Sequence, residues 1–180
     1  VTASQTVFTC NDIGDNIVTI SVDNGIGIGT CMATVTIVGP TSTFASGSWD
    51  VAPDAIRKVF FNANYNTSAG DVTACACEVA MGSTVTVDAG GFLDINGNIK
   101  VGIGSTLLVQ HEGSVRQIND DATVTNDGTI TIEKTTPSMA AKSFMISGSP
   151  MTGETREGVF GPAYIVRHHV TGNFIPNADV

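Results

Sequence analysis

The feature that most constrains this chain is a short phrase that occurs three times. Gly82-Ser83-Thr84-Val85-Thr86-Val87 returns as Gly104-Ser105-Thr106-Leu107-Leu108-Val109 and again as Gly128-Thr129-Ile130-Thr131-Ile132. Aligned on Val85, Leu107 and Ile130, the copies lie 22 and then 23 residues apart. Alternation within each copy puts its apolar residues on one face of a strand. Between the copies come Leu93/Ile95 and Ile99/Val101, then Val115/Ile118 and Ala122/Val124, so each period holds about three short strands. Corners fall at Asp88-Ala89-Gly90-Gly91, Asn96-Gly97-Asn98, Gly102-Ile103-Gly104, Asn119-Asp120-Asp121 and Asn126-Asp127-Gly128. Such residues tolerate the left-handed backbone of a tight corner. A coil with three faces needs this period, each rung lying about 4.8 Å above the last. The spacing predicts an all-β fold: a short parallel β-solenoid of about three rungs, period 22–23. It should be right-handed, because parallel crossovers almost always are. An antiparallel meander is the alternative, since short strands with Asn-Gly turns also suit hairpins.

The flanks read differently. Residues 1–38 suggest three alternating strands, carried by Phe8/Cys10, by Val18/Ile20/Val22 and by Cys31/Ala33/Val35/Ile37. Turn chemistry separates them at Asn11–Asn16 and at Asp23-Asn24-Gly25. Residues 39–43, Gly39-Pro40-Thr41-Ser42-Thr43, read as a linker. Residues 44–134 read as the solenoid with an N-terminal cap, its first strand at Val59-Phe60-Phe61. Trp49 and the phenylalanines are expected to cover the open end, where edge strands would otherwise pair with other chains. Residues 135–180 read as a C-terminal cap or the start of a further β domain, with strands at Phe144-Met145-Ile146 and Tyr164–Val170.

Composition narrows the function classes. With 8 Lys+Arg against 17 Asp+Glu, the net charge is −9. An acidic surface of that kind is a poor footprint for nucleic acid or anionic membrane. No apolar run reaches the ~18–20 residues that span a bilayer. Val1 opens without a basic and apolar leader, and Phe174–Val180 ends without an evident stop. The sequence is therefore expected to be an excised or mature part of a longer protein. Its four cysteines, Cys10, Cys31, Cys75 and Cys77, fit an oxidising compartment. Four cysteines allow three connectivities. The strand reading suggests Cys10–Cys31, with two buried free thiols as the alternative. Cys75 and Cys77, two apart on one strand face, would form a strained small ring if bonded, and are left as either a tight disulfide or two packed thiols.

Candidate chemistry is sparse. His168 and His169 are neighbours on a strand, so they face opposite sides, and His111 stands alone. No HExxH or Cys/His cluster offers a zinc site. The outward column Thr84, Thr86, Asp88; Thr106, Leu108, Gln110; Thr129, Thr131, Glu133 holds two acids and no clustered base. Polysaccharide-active helices need a walled acidic cleft, so no catalytic residue is assigned. No cofactor is expected. Calcium at Asp94-Ile95-Asn96-Gly97-Asn98 or Asn119-Asp120-Asp121 is the alternative to ordinary turn chemistry. The threonine ladder invites an ice-binding reading, which Leu108 interrupts. Gly25-Ile26-Gly27-Ile28-Gly29 lacks the helix and lysine of a phosphate loop and reads as a hairpin turn.

Two resemblances add to this reading. Phe8-Thr9-Cys10, then Asp12, Gly14 and Asn16, then Val18–Asp23 and Thr30–Ile37, resemble the C-terminal strands of a hyalin-repeat or related immunoglobulin-like module. Its first strands would precede Val1. Residues 44–180 resemble a module of large secreted proteins of Bacteroidota-type bacteria. That likeness is carried by Trp49…Pro53, Asn62–Thr67, Ala74-Cys75-Ala76-Cys77-Glu78-Val79, Leu107–Val115, Glu133–Pro137 and Ser147–Met151. It implies export by the type IX secretion machinery and an extracellular or cell-surface location, in some cases as an adhesin. The expected function is a non-enzymatic structural or adhesive module, a rigid spacer or display element beside adjacent domains of the same polypeptide. Its expected partners are surface glycans or other cell-surface proteins. The alternative is a carbohydrate-binding module of a secreted polysaccharide-active enzyme, although Trp49, Tyr65 and Tyr164 are scattered.

Overall fold

A computed structural model describes residues 1–140 together with Ser143, Met145, Thr155, Gly158 and Val159. The chain divides into two units, Val1–Thr136 and Pro137–Val180. The strands expected at Phe144–Ile146 and Tyr164–Val170 fall, Met145 apart, outside the described residues. The fold of the first unit is all-β.

The first unit opens with β1 (Thr2–Ala3), β2 (Gly14–Asp23) and β3 (Ile28–Ile37), an antiparallel sheet in the order β1-β2-β3. The expected strand at Phe8/Cys10 is not formed. Cys10–Asp12 is a 3-10 turn instead. The reason is local: the Thr9 hydroxyl accepts from the Asn11 amide at 3.3 Å, and Asp12 accepts from the Thr9 amide at 2.7 Å. This reciprocal cap satisfies the backbone without a strand partner.

The chain then coils. It runs through β4 (Thr41–Ala45), β5 (Ser48–Trp49), β6 (Lys58–Phe61), β7 (Tyr65–Asn66), β8 (Val72–Ala74) and β9 (Ala76–Val79). It continues through β10 (Thr84–Val87), β11 (Phe92–Ile95), β12 (Ile99–Val101), β13 (Thr106–Val109), β14 (Ser114–Gln117), β15 (Val124–Asn126) and β16 (Thr129–Ile132). Three sheets result. The first is β7-β10-β13-β16, the second β8-β11-β14, the third β5-β4-β6-β9-β12-β15. Apart from the β4–β5 hairpin, the neighbours in these sheets pair in parallel. This is a β-solenoid of about three turns. Val85, Leu107 and Ile130 stack directly, as the repeat predicted.

Three boundaries differ from the sequence reading. Thr41–Ala45 is a strand paired with Lys58–Phe61, so Thr41, Ser42 and Thr43 belong to the coil and not to a linker. Gln117, not Ile118, lies above Ile95, and Ile118 is a half-exposed corner residue. Gln117 donates its side-chain amide to the Gly97 and Thr123 carbonyls, at 3.0 and 3.3 Å, which holds the corner. Ala122 lies in a turn closed by its amide onto the Asn119 carbonyl, and Val124 takes the place above Ile99.

The core is the inside of the coil. Val59, Phe61, Val72, Val79, Val85, Val87, Leu93, Ile95 and Val101 are almost wholly buried. Each such side chain is worth about 1.5–3 kcal/mol of burial. At the N-terminal end, Phe44, Trp49, Phe61 and Tyr65 cluster with ring centroids 4.8–5.6 Å apart where they touch, edge to face except for the tilted Phe61–Tyr65 pair. Buried Tyr65 donates its hydroxyl to the Gly70 carbonyl at 2.6 Å, as a buried phenol requires. Corners are tied from rung to rung by side chains. Asn64, Asp71 and Asn98 accept from the amides of Thr84, Phe92 and Thr123, each at 2.8 Å.

Candidate functional site

Two places in the first unit concentrate polar chemistry. One is the joint between the N-terminal hairpin and the coil. The cysteines decide its form, and they correct the expected pairing. Cys10 is bonded to Cys75, 65 residues along the chain, with a Cα–Cα distance of 6.1 Å. Cys31 is a free, exposed thiol and Cys77 a free, buried one. Cys10 cannot follow the strand alternation that would have placed it opposite Cys31, because it opens the 3-10 turn; Cys31 pairs with Ile20 instead. Cys77 belongs to the stack of Val59 and Ile99 inside the coil. Burial pushes its thiol up to about 12, so it stays protonated and is no nucleophile at neutral pH.

Residues beside the disulfide complete the joint. The Asn11 carboxamide oxygen accepts from the Asn98 amide at 2.8 Å, and the Lys58 ammonium donates to the Ile13 carbonyl at 3.2 Å. Asn98 in turn accepts from Thr123. Asn11 thus supplies to one rung what Asn98 supplies to the next. A rung-borne residue could not do so, because Ala76 occupies the position below Asn98. Gly97 is required here: a Cβ would collide with the Asn11 side chain and the Cys75 carbonyl.

The other place is a shallow groove on the second sheet, lined by Gly90, Gly91, Phe92, Asp94, Glu112 and Arg116 among others. Arg116 grips Asp94 through two hydrogen bonds of 2.8 and 2.6 Å. Those bonds hold the Asp94 carboxyl below its usual range. It is therefore an acceptor at neutral pH and cannot serve as a general acid, which needs a raised value. Glu112 stands at the corner where the rung before has Gly90, and it keeps the left-handed conformation, φ 67°. Its side chain is mostly exposed, and Phe92 is 41% exposed. The groove can stack a flat apolar face on Phe92 and hydrogen-bond a polar ligand. The outer strands also carry an ion ladder, Glu78 lying 3.8 Å from Lys58 and 2.9 Å from Lys100.

The remaining sequence candidates separate. His111 is alone near Glu112, 4.0 Å away, and His168 and His169 fall outside the described residues. Among the described residues, no three of His, Cys, Asp and Glu gather as a metal site. Three of the side chains considered for calcium have protein partners: Asp94 has Arg116, Asn98 has Thr123, and Asn119 accepts from the Asp121 amide. The outward ladder Thr84-Thr106-Thr129 stands in register, beside Thr86-Leu108-Thr131. Gly25 to Gly29 lies at the β2–β3 hairpin end. No helix among the described residues is long and apolar enough to cross a membrane. Sequence reading missed the joint; the Thr9-x-x-Asp12 cap was its one available signal, because a capped turn at Cys10 is incompatible with a strand there. No known protein family, curated protein or solved structure matches the chain significantly.

Proposed function

We propose that this chain is a non-enzymatic structural module of a larger extracellular protein, a rigid spacer or display element. The observation that carries the reading is the Cys10–Cys75 bond, which fastens the hairpin to a hydrogen-bonded coil. Disulfides of this kind persist in oxidising compartments, and a coil whose rungs share one core resists extension as a unit. The resemblance of residues 44–180 to secreted Bacteroidota modules supports export by the type IX machinery and display at the cell surface. The partially exposed sheet β1-β2-β3 is compatible with the last strands of an immunoglobulin-like module.

Single-molecule pulling from the two termini tests the reading. The native chain is expected to give a resolved unfolding step. Its released length should fall short of that of the Cys10→Ser/Cys75→Ser variant by the 65-residue disulfide loop, roughly 200 Å of extended chain. Gradual extension at low force would rule out a spacer, and turnover of a polysaccharide in hydrolase or lyase assays would rule out a non-enzymatic module. The Phe92–Asp94–Arg116 groove favours one second reading, a carbohydrate-binding module. Glycan-array binding that is lost in Phe92→Ala would select it.

A further inference from the structure

The hairpin leaves one side of its sheet open. Strand β3 has β2 on one side and, among the described residues, no strand on the other. It is ten residues long, well above the lengths at which open edges are harmless. Proteins usually blunt such edges with charge, proline or a bulge. The stretch Ile28-Gly29-Thr30-Cys31-Met32-Ala33-Thr34-Val35-Thr36-Ile37 has no charge and no proline. It pairs with β2 without a bulge from Gly14↔Ile37 to Asp23↔Ile28.

The hydrogen-bond parity of this edge follows from its neighbours. The Ser4 amide donates to the Thr19 carbonyl at 2.9 Å, so Thr19 turns its backbone groups toward β1. Its cross-strand partner Met32 is therefore in a non-hydrogen-bonded pair. Met32 must direct its own N–H and C=O to the open side, and alternation gives the same to Ile28, Thr30, Thr34 and Thr36. Cys31 and Ala33 spend theirs on β2. Ile17, Ile28 and Met32 share one face of the sheet and are 72%, 70% and 76% exposed.

Charge identifies the occupant. The chain carries a net −9, yet no charged residue lies between Asn24 and Trp49. Two acidic copies can meet along β3 without placing like charges in contact, whereas a basic partner would be drawn to the acidic surfaces instead. The strand is also self-complementary. Antiparallel pairing about Met32 sets Thr30 against Thr34 and Ile28 against Thr36, with every edge donor facing an acceptor. We propose that β3 is a homodimerisation edge, through which a second copy extends the sheet as β1-β2-β3-β3-β2-β1 around a two-fold axis at Met32.

Sedimentation equilibrium tests this on the Cys31→Ser variant, in which an intermolecular disulfide cannot produce the dimer. A reversible dimer is expected. Met32→Glu in that background sets two like charges at the axis and should weaken association about 100-fold. Thr34→Pro removes only an N–H that faces the open edge, so it should give a folded monomer with β2–β3 pairing intact. If Thr34→Pro fails to fold, a folded monomeric Met32→Glu still supports the proposal. A Cys31→Ser protein that stays monomeric at the highest concentration it reaches overturns it. So does a dimer that survives Met32→Glu unweakened.

Discussion

The coil and the hairpin are both β structure, but they are held together by different means. In the coil the inner rungs lie between others, so their inward side chains are covered from above and below, whereas on the last rung Val124 is 49% exposed. The contiguous core runs from Phe44 to Val109, and none of it comes from the hairpin. In β2 and β3 Val18 is the one buried apolar side chain, although both strands alternate well. Alternation supplies an apolar face, and stacking is what removes that face from water. The hairpin instead depends on its joint, where Cys10, Asn11 and Ile13 attach to Cys75, Asn98 and Lys58. Parallel register protects the coil, and covalent and polar ties protect the hairpin.

The sharpest way to break this contrast is to cut the same chemistry from both regions. Phe61→Ala removes a wholly buried ring at the aromatic end of the coil and should cost about 3–5 kcal/mol. Ile17→Ala, on an exposed hairpin face, should stay within about 0.5 kcal/mol. Urea unfolding of the two variants measures both; equal effects would mean that the hairpin has a core of its own. Next in size is the joint. Removing the disulfide with Cys10→Ser and Cys75→Ser frees a 65-residue loop, a loss of about 2–4 kcal/mol. Hydrogen exchange should then rise across residues 14–37 far more than in β9 to β13. Uniform loss of protection would show that the two regions unfold together regardless of the bond.

What was legible in the sequence divides along the same line. The stack of Val85, Leu107 and Ile130 could be read because a parallel coil repeats its register in the chain. Its early turns were less legible. Val59 to Cys77 is a shorter step than Cys77 to Ile99, and no phrase recurs there. Thr41–Thr43 looked like a linker because Gly39-Pro40 precedes it, yet strand pairing with Lys58–Phe60 overrides that local signal. Strand alternation points Cys10 toward Cys31, but Cys10 is bonded to Cys75. Cys10 leaves the strand pattern through the Thr9–Asp12 cap, and its partner comes from the coil. Nothing in the local sequence marks the groove at Phe92 and Arg116. Asp94 and Arg116 lie on successive rungs in register, a contact with no local sequence signature.

A smaller effect separates corners that glycine serves from one that it does not. Glu112 keeps φ 67° at the place where the preceding rung has Gly90 at φ 80°. A side chain in that region costs about 1–2 kcal/mol, partly offset by the entropy glycine loses on folding. Glu112→Gly should therefore stabilise the coil by up to about 1 kcal/mol, read as a higher urea midpoint. A destabilised variant would mean that the Glu112 side chain contributes something the corner needs. In that case loss of glycan binding by the same variant would tie the strain to the groove.

The smallest effect concerns the cap that displaced the expected strand. Partial burial tends to raise the Asp12 carboxyl, but hydrogen bonds from the Thr9 amide, from Gln5 and from the Thr9 hydroxyl outweigh it. The group lies below its ordinary value of 3.8. A depressed carboxylate contributes stability that is fully present above its unfolded value and is lost as pH falls through the lower folded one. The cap should therefore hold at neutral pH and weaken only below about pH 4. Asp12→Asn removes that titration and should flatten the acid limb of stability, with the loss confined to exchange in residues 1–38. Since Asp12 sits between Cys10 and the start of β2, the same measurement asks whether the turn at Cys10 survives without its cap. If the acid limb of Asp12→Asn matches that of the native chain, the disulfide alone sets the turn, and the hairpin hangs from the coil by its covalent tie.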